Sequence, residues 1–338
     1  MSNSEEISFE KLLEALLDVD QPFPARLLYR LSDLESEELS LLEKTWEEIP
    51  AWRRKALMED VEALGERDYV LSFEKLALFA LQDEDPAVRL PALRTLWEFE
   101  NPDLVEIFLR SIEEDVDPEV RAAAATALGR FVYMGELEEI PAELQQKIED
   151  NLLSIITGNE PELLSRRALE ALGYSSREEV PPLIETAYNS GNQNWLVSAL
   201  YAMGRSANER WRPLVLSELE SPLVSVRAEA ARAAGELEMR EAVPLLLDLL
   251  NDEDVDVRAA AIWSLSQTGG PGVQEVLEAL YEETEDDEEA EFIESALDNL
   301  AFTEDIQIFS LFDFGEGEQD DADEMLFDLD EDDEDQVE

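Results

Sequence analysis

Asp252, Asp254 and Asp256 alternate as the first oxygen ligands of a calcium-binding loop do. Such a loop must turn sharply at its sixth position and close its shell at its twelfth, where this chain has Val257 and Trp263 in place of Gly and Glu. A helix cap is therefore the expected role of these aspartates. Gly269-Gly270-Pro271-Gly272 could suggest a phosphate cradle, but it lacks the glycine spacing and the Lys of one and reads as a turn. Paired carboxylates could perform acid–base work, yet 84 acidic residues make such pairs ubiquitous and uninformative. The chain has no His and no Cys. That removes the commonest general base, the commonest metal ligand, thiolate chemistry and disulfides together. The expectation is a protein with no catalytic residue, no metal site and no cofactor.

The 84 acidic residues face only 25 basic ones, giving a formal net charge of −59 over 338 residues. Nucleic acids and anionic membranes are bound by Lys and Arg, so neither is an expected partner. The charge has two readings: it keeps the protein soluble and monomeric, or it selects a basic protein partner. Met1 to Glu10 is polar and acidic, unlike a signal peptide, and no apolar run approaches the length of a spanning helix. A monomeric cytoplasmic protein is the expectation.

The elements that must position any binding residue are legible as repeats. Asp85-Pro86-Ala87-Val88-Arg89, Asp117-Pro118-Glu119-Val120-Arg121, Ser221 to Arg227 and Asp254-Val255-Asp256-Val257-Arg258 each open an Ala-rich apolar stretch. Ala63-Leu64-Gly65, Ala127-Leu128-Gly129, Ala171-Leu172-Gly173, Ala202-Met203-Gly204 and Ala233-Ala234-Gly235 close such stretches, and Trp97 fills the one missing Gly position. Asp or Ser caps a helix, Pro fits its first turn, and Gly is expected to supply the left-handed residue past its end. Val120, Ala123, Ala124, Ala127 and Leu128 mark one helical face. A single helical hairpin cannot bury both sides, so neighbours must stack. The spacing predicts an all-α, right-handed α-solenoid of stacked hairpins.

Residues 1–60 read as a helical capping region, with helices over Phe9–Val19, Pro24–Leu34, Glu37–Glu48 and, across the boundary, Trp52–Leu64. Residues 61–302 read as the repeat array, with an insertion of about a dozen residues near 134–150. Val273–Tyr281 and Ala290–Ala301 form its last hairpin. Residues 303–338 read as an acidic, disordered tail, because the 80 residues after Arg258 hold 29 acids and no base.

These landmarks resemble the HEAT-repeat superfamily of armadillo-like helical proteins, specifically its short-repeat branch named after phycobilisome lyases. The resemblance covers about residues 60–300. It implies an Asp–Arg ladder along the solenoid through Arg89, Arg121, Arg227 and Arg258, interrupted where Ser165 and Leu196 replace the Arg. One enzymatic relative, deoxyhypusine hydroxylase, uses paired His-Glu iron ligands, which a chain without His cannot supply. Bilin lyases leave no compact signature to test.

The remaining candidates lie on the surface. Positions offset from the buried register place Arg94, Trp97, Tyr201, Arg232 and Trp263 on another face of the same helices, where they are expected to line a concave partner-binding groove. The competing reading is that the aromatics pack against adjoining repeats and the Arg residues pair within the chain. In the tail, Phe309, Phe312, Leu326 and Phe327 form apolar islands: docking motifs on one reading, parts of a solubility device on the other. The expected function is a non-catalytic scaffold or adaptor binding a protein, with a basic one favoured by charge. The alternative is a lyase-like or chaperone-like accessory acting on a chromophore- or cofactor-bearing protein.

Overall fold

A computed structural model describes residues 8–313, with side chains through residue 302. The chain divides into two compact units, Met1–Ala202 and Met203–Glu338. Among the described residues there are helices and no strands.

The first unit opens with α1 (Phe9–Leu17), a 3-10 helix over Ala25–Leu31, α2 (Ser36–Trp46) and α3 (Ala51–Gly65). Three hairpins follow: α4 (Glu74–Ala80) with α5 (Pro86–Thr95), α6 (Leu104–Glu114) with α7 (Pro118–Glu136), and α8 (Ala142–Thr157) with α9 (Glu162–Ala171). Next come α10 (Val180–Tyr188) and α11 (Gln193–Arg205), and the division between units falls inside α11. The second unit continues with α12 (Arg212–Glu218) and α13 (Val224–Glu236), α14 (Val243–Leu249) and α15 (Val255–Thr268), and α16 (Val273–Glu283) and α17 (Asp287–Asp313). In each unit the second helix of a hairpin packs on the second helix of the next, as α5 does on α7 and α13 on α15. Stacked helical hairpins of this kind are an α-solenoid.

Local chemistry explains why the helices begin where they do. Asp117 accepts hydrogen bonds from the backbone N–H of Glu119 at 2.8 Å and Val120 at 3.2 Å, and Pro118 occupies the first turn of α7. Asp85 caps α5 through Ala87 N–H at 2.9 Å. Asp254 caps α15 through Asp256 and Val257. Each cap is worth about 1 kcal/mol.

The motif glycines behave differently from the expectation. Gly129 and Gly235 lie inside α7 and α13, and neither has positive φ. They admit the neighbouring helix instead: a Cβ on Gly129 would stand 3.2 Å from Ala171 Cα, and one on Gly204 would stand 3.0 Å from Ala233 Cα. Past the ends of α7, α11 and α13 the positive-φ residues are Glu138, Ala207 and Glu238, at φ 61°, 48° and 47°. These alanine- and glycine-rich faces let backbones approach where a larger side chain would hold them apart.

The residues about 134–150 keep only a short connection, 137–141, outside helices. They lengthen two helices, giving α7 19 residues and α8 16, against 13 for α13 and 7 for α14. The boundaries expected at residues 60 and 302 fall inside α3 and α17. Phe309 and Phe312 lie on the backbone of α17, but their side chains, and all of Leu326 and Phe327, lie outside what the structure describes.

Candidate functional site

The second helices of the first unit form a groove of about 690 Å³ between α3, α5, α7, α9 and α11. Its floor is α7, where Ala122, Ala123 and Thr126 are too small to fill the space. Arg94 and Trp97 stand on one side, Arg167 and Tyr201 on the other. Trp97 lies just beyond α5 and remains 43% exposed. It occupies the position that is Gly in the other repeats, so bulk appears where those repeats bring helices together.

The charged groups within the groove are partly matched. Arg94 lies 3.8 Å from Glu62, and Arg167 pairs with Glu170 one turn further along α9. Buried Glu170 also accepts a hydrogen bond from Ser198 Oγ at 2.6 Å, which locks its orientation. Burial raises the Glu62 carboxyl above its ordinary range; Arg94 opposes the shift, while Glu66 and Glu59 add to it.

The structure brings Arg94, Trp97 and Tyr201 into one groove. Arg232 and Trp263 sit on α13 and α15 of the second unit. Arg232 pairs with Glu229 at 3.3 Å, and the Trp263 ring packs so closely over Gly235 that a Cβ there would stand 2.8 Å from its Cζ3. Arg167 was missed because its place in the repeat, filled by Pro91 in α5 and Ala123 in α7, is not the one that Arg94 and Tyr201 share.

The arginines expected to form a ladder make varied contacts. Arg89 grips Asp115 with two nitrogens, at 2.8 and 2.7 Å, and donates to the carbonyls of Asp83 and Glu84. Arg227 repeats the arrangement on Asp252, at 2.8 and 2.9 Å, and donates to the Ser221 carbonyl. Arg121 reaches Glu160 and the Ile112 carbonyl, while Arg258 donates to the carbonyls of Asp252 and Glu253. A further rung lies upstream: Arg54 sits 3.1 Å from Asp83, which also accepts from Trp46 Nε1 at 2.6 Å. Arg54 is one helical turn out of the Val-Arg register, so the repeat spacing gave no sign of it.

The sequence profile of HEAT repeats matches residues 73–144 and 212–298. The chain carries HEAT repeats over these two stretches. The stacked hairpins, their capping aspartates and their cross-repeat arginines are thus the working parts of its HEAT repeats. No curated protein matches it. Among solved structures, it is similar to the complex of CpcE and CpcF of phycocyanin lyase from Nostoc, at 19% identity and a TM-score of 0.45, covering 67% of this chain and 94% of that one. The Escherichia coli protein YibA is similar at 18% identity and a TM-score of 0.39, covering 71% and 96%. Human deoxyhypusine hydroxylase follows at 19% identity and a TM-score of 0.37, covering 87% and 96%. Among the described residues no helix is long and apolar enough to cross a membrane.

Proposed function

We infer that this HEAT-repeat protein is a non-catalytic scaffold that docks a protein segment in the groove of its first unit. The observation that carries the reading is that Arg94, Trp97, Arg167 and Tyr201 line one concavity over a floor of small side chains. Arg, Trp and Tyr dominate binding hot spots because each offers a large contact area together with directed polar atoms. A groove of about 690 Å³ can seat several side chains of a peptide or helix. The net charge of −59 favours a basic partner, because opposite charge accelerates encounter and disfavours acidic competitors. In this reading the protein is a cytoplasmic monomer until it meets its partner.

Filling the floor tests the proposal. Affinity purification with the full chain, compared with Ala123→Trp and Thr126→Trp, should recover a colourless, basic protein that both variants lose while their circular dichroism stays helical. Unchanged partners across the variants would place docking elsewhere. Co-purification of a pigment or cofactor would overturn the scaffold reading in favour of an accessory to a chromophore-bearing protein.

A further inference from the structure

A second, smaller concavity of about 200 Å³ adjoins the groove and shares Glu62, Arg94 and Trp97 with it. Three other aromatic side chains line it: Tyr69, Phe73 and Phe99. Phe73 is buried and gives the pocket a fixed apolar wall, whereas Tyr69, on the turn after α3, is 82% exposed. Glu66 and Glu98 also line it. Neither makes a side-chain hydrogen bond or ion pair among the described residues.

We propose that this pocket is a binding site for the cationic side chain, arginine or lysine, of a basic polypeptide segment. Aromatic faces carry negative electrostatic potential and attract a cation lying over them, most strongly for Trp. Carboxylates at the rim add charge-assisted hydrogen bonds to a guanidinium or ammonium group. Here three carboxylates line the pocket with the single guanidinium of Arg94, so the pocket has unmatched negative charge beside four aromatic rings. Its volume suits one long side chain and is small for a folded element. The exposed Tyr69 and Trp97 are large aromatic surfaces left facing water, a cost that a bound chain would relieve.

The neighbouring Glu62 supports the assignment independently. Its carboxyl is raised chiefly by burial; Arg94 opposes the shift, and Glu66 and Glu59 add smaller contributions that place further negative charge at this end of α3. A guest cation would lower that crowding and pull the Glu62 carboxyl back toward its ordinary range.

The pocket proposal rests on the docking reading, as the anchor for one residue of the docked segment, and can fail separately from it. The test is titration of the full chain with N-acetyl-arginine amide, N-acetyl-lysine amide and the neutral isostere N-acetyl-citrulline amide, followed through the Trp97 indole N–H resonance, which a Trp97→Phe variant assigns. The cationic probes should shift that resonance saturably and citrulline should not. Trp97→Ala, followed by calorimetry, should weaken binding at least tenfold, and Glu66→Gln with Glu98→Gln should weaken it while reducing its salt dependence. Trp97→Phe should retain most of the affinity, which excludes a folding defect as the cause. An unshifted indole, an equal response to citrulline, or a Trp97→Ala chain that binds as well as the parent would overturn the pocket. If Thr126→Trp abolishes partner capture while Glu66→Gln with Glu98→Gln leaves it intact, the groove stands without the pocket. The converse result assigns capture to the pocket alone.

Discussion

Gly235 of α13 lies directly against Ser264 of α15: a Cβ on the glycine would stand 2.8 Å from the Ser264 Cα, inside van der Waals contact with backbone. Ser264 Oγ donates to the Ala231 carbonyl of α13 at 2.6 Å, so the same residue that crowds the glycine also ties the two helices together. Gly235→Ala gains helix propensity of about 1 kcal/mol, but it must push the helices apart, at about 1–3 kcal/mol. The variant is expected to lose stability, seen as a lower urea midpoint at unchanged slope. Gly65→Ala is the control. Its new Cβ would meet only Phe73 Cδ2, at an ordinary 3.7 Å, so it should be neutral or stabilise by about 0.5 kcal/mol.

Three residues beyond Gly235, the chain turns through Glu238 at φ 47°. A β-carbon in that conformation costs about 1 kcal/mol, whereas glycine accepts it without strain. Among the described residues the exposed Glu238 side chain makes no hydrogen bond or ion pair that offsets the cost. Glu238→Gly is expected to raise stability by about 0.5 kcal/mol, after allowing for the greater freedom of glycine in the unfolded chain. A drop in thermal midpoint would refute the reading. Gly235→Ala and Glu238→Gly should therefore shift stability in opposite directions, although the intuitive motif-based guess treats Gly235 as the turn residue.

Acid should unfold the protein partly through its cross-repeat pairs. The hydrogen bonds from Arg227 hold the Asp252 carboxyl below its usual range against the effect of burial. For Asp115, burial pushes upward but is outweighed by Arg89 and the N–H groups of Asp117 and Val116, so it too is lowered. A lowered folded-state value means that the unfolded chain binds the proton first. The stabilisation is therefore full above the unfolded value near pH 4 and is lost as pH falls through the folded one. Relief of repulsion among the surplus acids acts oppositely, so the comparison must be between variants. Arg227→Met should lose about 2 kcal/mol at neutral pH and show a flatter loss of stability below about pH 4 than the parent. Parallel pH profiles would refute the coupling.

Glu149 has the opposite sign. Burial raises its carboxyl, the hydrogen bond from Ser175 Oγ at 2.6 Å opposes the shift, and Glu136 adds to it. With the folded value above the unfolded one, ionised Glu149 costs stability at neutral pH, and that cost disappears as pH falls through the folded value. Glu149→Gln keeps an acceptor for Ser175 and removes the charge. It should be neutral or stabilising at pH 7 and should erase this part of the gain on mild acidification, measured by urea unfolding between pH 4 and 7. A clear loss of stability at pH 7 would show that the carboxylate is needed as such.

Much of the local architecture is written in short-range chemistry. Asp85, Asp117 and Asp254 start helices because an Asp side chain can accept the N–H groups that the first turn leaves free, and the interval between them gives the size of a HEAT hairpin. The apolar face of Val120 and its successors similarly dictates stacking. The glycines were misread because a sequence shows that Gly is tolerated without showing why. A left-handed turn and a helix contact at 3.2 Å or less both favour that residue, and it was the latter that applied at Gly129 and Gly235.

By itself, then, the sequence determined the helices, their caps, their repeat and the absence of His and Cys, since each follows from residue type and spacing along one chain. Tertiary structure alone decided which side chains share a space. It gathered Arg94, Trp97, Arg167 and Tyr201 around one groove, set Glu66, Tyr69 and Glu98 beside Trp97, and packed Trp263 over Gly235. The physical reason is that a helical register fixes a direction about one axis, whereas a concavity depends on how several axes stack, and side-chain volumes on neighbouring helices set that stacking.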